Sequence, residues 1–182
     1  MDHRLGGYRA QARKRAVLST LTVTLLILLL SSVQVSLLAR FRPFGATPDL
    51  MMCFVLCIFY FWGKYAGAVT GIATGFVIEA IGGQGMTLLP LVYLLYGYVG
   101  GAYARAVYPK RFLPYLFYLF CGLILRAATT LLYACMTWET VNIPVILLYS
   151  VLPEMGGTAI AGCVLYAPIK LVCYLIDRKT RA

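Results

Sequence analysis

Apolar residues along this chain fall into long blocks, and polar or charged residues collect in the short gaps between them. A helix rising about 1.5 Å per residue needs about 20 apolar residues to cross a hydrocarbon core about 30 Å thick, so each block is a candidate transmembrane helix. The pattern predicts six, at about residues 17–38, 48–62, 65–81, 86–103, 112–136 and 154–176. The gaps carry turn chemistry. ARFRPFGATPDL, residues 39–50, contains Arg40, Arg42, Pro43, Gly45 and Pro48; Lys64 marks a tight turn; GGQG, residues 82–85, reads as a flexible hairpin; RAVYPKR, residues 105–111, closes the fourth block; TWETVN, residues 137–142, is a polar turn.

Three blocks need a closer reading. The first, about 22 residues long, exceeds the apolar core of a signal peptide, and no small-residue cleavage pattern follows it, so it reads as a retained helix. The second is short: about 15 residues reach about 22 Å, which predicts local membrane thinning or a packed, re-entrant start. Its closing FYFW, residues 59–62, fits an aromatic belt at a membrane surface. The last region, residues 141–176, is too long for one simple helix and is interrupted by Pro153. It divides into a short apolar piece, residues 144–152, and the span 154–176; the short piece is either interfacial or a proline-kinked extension of the last helix.

Composition agrees with a bilayer setting. The chain has 182 residues, 62% hydrophobic and 12% charged, where a soluble domain has about half apolar and about a quarter charged. No polar stretch is long enough for a second domain. The predicted architecture is therefore an all-α integral membrane protein: a basic cytoplasmic tail, residues 1–16, and a single polytopic membrane domain, residues 17–177, folded as a six-transmembrane-helix bundle. The net charge of +10 is uneven. Arg4, Arg9, Arg13, Lys14 and Arg15 crowd one end, and Arg178, Lys179 and Arg181 the other. Six crossings put both ends on one side, together with Lys64, Arg105, Lys110, Arg111 and Lys170, and leave Arg40 and Arg42 on the opposite side. The positive-inside rule makes the crowded side cytoplasmic, so the expected location is the bacterial plasma membrane with both termini inside. The same rule accounts for the basic excess without nucleic acid as a partner.

Catalytic chemistry finds little foothold. The single histidine, His3, is in the tail. No G-x-S-x-G and no nucleotide-binding loop is present. Six cysteines all sit in apolar runs, and Cys53 and Cys57, four apart, have no further Cys or His beside them to complete a metal site. The expectation is a protein that is not an enzyme and uses no cofactor, metal or disulfide.

What stands out instead is GAVTGIATGFVIEA, residues 67–80. Gly63, Gly67, Gly71 and Gly75 recur every four residues on one slowly turning stripe. In lipid, helices associate through close contact, which small residues permit; the stripe serves packing inside the bundle or an interface with a second copy or partner. Glu79 continues the stripe. It lies 15 residues beyond Lys64, and Arg126, the lone charge of the fifth block, lies 15 beyond Arg111. Both are then about 22 Å from the cytoplasmic surface. A lone arginine at a helix centre costs about 2.5–3.5 kcal/mol, so the depth match predicts a Glu79–Arg126 ion pair fixing the third span to the fifth. Asp49 and Glu154 each follow a proline at a helix start, where a carboxylate caps backbone N–H groups and suits the helix dipole. Asp49, Glu79, Arg126 and Glu154 make a predicted buried polar cluster, as structural glue or as a binding site.

These stretches resemble the MreD family of rod-shape-determining membrane proteins. The likeness is carried by PDLMMCFVLCIFYFWGKYAGAVTGIATGFVIEAIGG, residues 48–83, and by GMTLLPLVYLLYGYVGGAYAR, residues 85–105, with the overall size and the basic tail ahead of a leucine-rich first helix. That family shows Pro-Asp-Leu at the start of a short span, a basic or polar turn, and a glycine-laddered span ending in an acid, often Asp where this chain has Glu79. The resemblance implies a non-enzymatic scaffold of the bacterial elongation machinery. Its partners would be an MreC-like single-span membrane protein, MreB filaments and cell-wall synthases, with membrane lipids around it. It also implies a fold similar to the S components of energy-coupling-factor vitamin transporters, hence the alternative of a small-molecule binder. S components carry an alanine-rich patch on the first helix, whereas VLSTLTVTLLILLLSSV, residues 17–33, contains no alanine.

Overall fold

A backbone without water nearby satisfies its N–H and C=O groups within a helix, and every apolar block folds that way. The computed structural model describes residues 2–38, 47–82, 88–104, 111–137, 145 and 147–179. Among them there is no strand. The described residues are all-α, with six α-helices: α1 (Asp2–Val33), α2 (Leu50–Trp62), α3 (Lys64–Gly82), α4 (Leu89–Ala104), α5 (Phe112–Thr137) and α6 (Leu152–Lys179). A π-helical turn, Gln34–Leu38, prolongs α1, and another, Leu147–Val151, leads into α6. Arg40, Arg42, Arg105, Lys110, Trp138 and Pro144, with the GGQG and TWETVN turns for the most part, lie outside the described residues.

Three helical runs are long and apolar enough to cross a membrane: Val17–Ser36, Phe112–Met136 and Leu147–Ile176. The helices α2 and α4 are apolar but shorter. Two boundaries differ from the sequence pattern. The basic segment is not set apart from the first span: α1 is already helical at Asp2, through a proline-free stretch whose four Arg and three Ala are good helix formers. At the other end residues 147–179 form one helical run, so the piece before Pro153 is an extension of the last helix. Pro153 is the second residue of α6, at the junction with the π-helical turn.

The short second block occupies the centre. Every residue of α2 from Leu50 to Tyr60 is buried, and α1, α3, α4, α5 and α6 all pack against it. A helix apolar on all faces belongs inside a bundle. Because α2 is lined by protein and not by lipid, its 13 residues, about 20 Å, have no bilayer thickness to match. For the same reason the first half of FYFW does not reach a surface, while Phe61 and Trp62 are half-buried. Phe59 and Tyr60 are buried, with Phe59 edge-on to Tyr96 at 5.1 Å and Tyr60 edge-on to Tyr115 at 5.8 Å. Tyrosine hydroxyls in this layer reach carbonyl oxygens: Tyr60 donates to Arg111 at 2.7 Å, Tyr115 to Gly162 at 2.8 Å and Tyr96 to Tyr118 at 3.0 Å.

The glycine stripe joins α3 to α4. Gly67 faces the Gly97 backbone, Gly71 the Tyr93 carbonyl and Gly75 the backbone of Pro90. A Cβ on any of the three would run into those atoms, so the stripe is occupied within the chain. Gly63 has a different task. Its φ of 92° closes α2 in a conformation that costs an L side chain energy, and its carbonyl oxygen accepts from the Gly67 N–H at 3.0 Å as α3 begins.

Candidate polar centre of the bundle

The helix α2 begins inside the bundle, so its first N–H groups must find partners there. Asp49 is the N-cap, and its Oδ1 accepts from the Met52 N–H at 3.0 Å. The Gln34 side chain, from the π turn after α1, accepts from the Met51 N–H at 3.3 Å. Asp49 itself is 2% exposed. Its own N–H donates to Thr158 Oγ1 at 2.9 Å, and the Thr158 hydroxyl donates to the Glu154 carbonyl oxygen at 2.7 Å. The Tyr93 hydroxyl, on α4, donates to Asp49 Oδ2.

Arg126, on α5, enters this group through its Nε, which donates to Glu154 Oε1 at 3.0 Å and lies 3.3 Å from Asp49 Oδ2. One arginine thus bridges two carboxylates. The charges nearly cancel once the backbone is included. Asp49 caps α2 and Glu154 lies in the first turn of α6, and each helix N-terminus carries about +0.5 charge. Two carboxylates, one guanidinium and two helix ends sum to about zero. A neutral, hydrogen-bonded cluster is the form in which charge can remain deep in a low-dielectric interior.

The expected Glu79–Arg126 pair is replaced by this arrangement. Asp49, Arg126 and Glu154 converge; Glu79 forms no ion pair with Arg126 among the described residues. The reason is geometric. Tyr93 reaches Asp49 from the level of α4 that faces Gly71, and Glu79 is eight residues farther along α3, about 12 Å on. The central α2 also stands between α3 and α5. Equal depth in a membrane is a one-dimensional condition, and partners are decided in the other two dimensions.

Sequence reasoning missed Tyr93, Thr158 and Gln34. Thr158 had a signal, because it lies four residues after Glu154 and shares its helix face. Tyr93 had none, being one of 14 tyrosines. A cavity of about 10 Å³, the size of a single water, adjoins Arg126 and is lined by Met52, Tyr93, Tyr96, Gly122 and Thr129 among others. No group of three metal-ligating side chains occurs among the described residues. The cluster ties α2, α4, α5 and α6 together, and its bonds run between its own members.

Comparison of the chain with protein-family models, with curated proteins and with solved structures gives no match.

Proposed function

We propose that this protein is a membrane scaffold that acts by contact, of the MreD kind, with six crossings and both termini in the cytoplasm. The observation that carries this reading is that three charges inside the bundle satisfy one another while the helix faces stay open. Asp49, Arg126 and Glu154 close on themselves, whereas Val17, Leu21, Leu25 and Leu29 on α1 and Phe117, Phe120 and Ile124 on α5 are exposed. A ligand site would be expected to leave convergent polar groups unpaired in a cavity of about 300–1,000 Å³. Among the described residues, cavities of about 10 and 40 Å³ lie near the cluster, well short of that size. In the proposed role, the exposed faces meet a single-span partner and the basic helix start faces the cytoskeletal side and anionic headgroups.

The test is depletion of the protein in its host with cell shape recorded, alongside co-purification from mild detergent. Rounding of the cells and recovery of a single-span, coiled-coil membrane protein are the expected results. Normal rods with a new vitamin requirement would overturn the scaffold in favour of the transporter subunit.

A further inference from the structure

The charge of Arg126 is balanced, but its hydrogen bonding is not complete. A guanidinium holds five N–H donors in a planar fork, one on Nε and the rest on Nη1 and Nη2. Nε alone serves both carboxylates, at 3.0 Å from Glu154 Oε1 and 3.3 Å from Asp49 Oδ2. Neither Nη donates to a group among the described residues. The two nitrogens are not sealed inside either. Among the described residues, the buried side-chain nitrogen left without a partner is Trp62 Nε1. The Arg126 side chain keeps 21% of its surface, against 2% for Asp49 and 14% for Glu154. The tip of the fork therefore reaches accessible surface while its Nε edge is locked inside. It does so at the seam where Leu125, Arg126 and Thr129 of α5 line a space with Leu89 and Val92 of α4.

Chemistry narrows what meets these donors. On the membrane reading, Arg126 lies 15 residues beyond Arg111, about 22 Å along a hydrocarbon core about 30 Å thick. Lipid tails at that depth carry no acceptor, and lipid ester oxygens sit at the edges of the core. The space at the seam, about 10 Å³, holds no more than a water, so the acceptor arrives on a larger body from outside. The backbone carbonyl oxygens of a crossing helix are taken by its own N–H groups, which leaves a side chain as the acceptor. The cluster already sums to about zero with its two helix N-termini. A carboxylate would bring an uncompensated charge, whereas an amide oxygen brings none. We propose that Arg126 is the docking point for a transmembrane helix of another protein, which presents an asparagine or glutamine side-chain oxygen to Nη1 and Nη2 at the α4–α5 seam. The inference rests on the contact-scaffold reading and gives that contact a place and a polar anchor.

Photo-crosslinking of the full chain in its host membrane tests this, with the reactive residue at position 125 beside Arg126 or at position 25 on α1; Leu125 and Leu25 are both exposed. The adduct from position 125 is expected to map to a transmembrane segment of another protein, with Asn or Gln within one helical turn of the attachment point. Replacing that Asn or Gln by Leu is expected to lower the adduct about tenfold, the scale of a hydrogen bond to a charged group. Arg126→Lys should lower it equally, because a single nitrogen serves Asp49 and Glu154 and no fork remains outside. That variant keeps the cation, so an unfolding midpoint close to that of the unaltered protein separates a lost contact from a lost fold. The substitution in the partner decides the matter where Arg126→Lys does not fold. No adduct at position 125, an adduct to lipid or to a second copy of this chain, a segment with a carboxylate or no polar side chain at that level, or a yield indifferent to the partner's substitution would each overturn the proposal. A protein adduct from position 25 without one from position 125 would remove this docking point and leave the scaffold reading standing, which depletion and cell shape test separately.

Discussion

Arg126 is the position where the electrostatics can be tested most sharply. With the guanidinium in place the cluster sums to about zero, counting two carboxylates, one cation and two helix N-termini of about +0.5 each. Arg126→Met removes the cation and leaves about one uncompensated negative charge shared by Asp49 and Glu154, whose side chains are 2% and 14% exposed. Removing one partner of a buried ion pair costs about 3–5 kcal/mol, and the single variant should lose that much in denaturant unfolding of the detergent-solubilised protein. Adding Glu154→Gln restores the sum to about zero while keeping side-chain volume, and the double variant should regain more than half of the loss. Arg126→Met with Glu79→Gln should regain none, because Glu79 stands outside the cluster. Equal rescue by the two double variants would refute the assignment of partners. A loss below about 1 kcal/mol for Arg126→Met, the scale of a surface pair, would refute the buried-charge argument itself.

Two further perturbations follow from local geometry. Gly71→Ala places a methyl group against the Tyr93 backbone, and overpacking of this kind should cost about 1–3 kcal/mol; Gly156→Ala, where nothing lies within 4 Å, should be neutral or stabilising by up to about 1 kcal/mol through helix propensity, both read as shifts of unfolding midpoint. Thr158→Val leaves the buried Asp49 N–H without an acceptor and should cost about 1–3 kcal/mol, whereas Thr158→Ser, which keeps the hydroxyl, should retain most of the stability in the same measurement.

The sequence by itself determined the helices. Block length sets their number, and Pro48, Gly63 and Pro153 fall at helix ends, because backbone hydrogen bonding in an apolar setting leaves the chain few alternatives. Spacing of four put Gly67, Gly71 and Gly75 on one face, and position after a proline made Asp49 a cap. Which face meets which helix was not legible. The short α2 looked like a membrane-thinning span until tertiary structure placed it at the centre, where only protein surrounds it. The glycine stripe was equally suited to a second copy until α4 was seen filling it. Arg126 had three acidic candidates, and periodicity reports depth along a helix axis but not azimuth around a bundle. The choice of Asp49 and Glu154 over Glu79 follows from where α2 begins and from two helix N-termini pointing at one place, a relation between segments more than a hundred residues apart that no local pattern encodes.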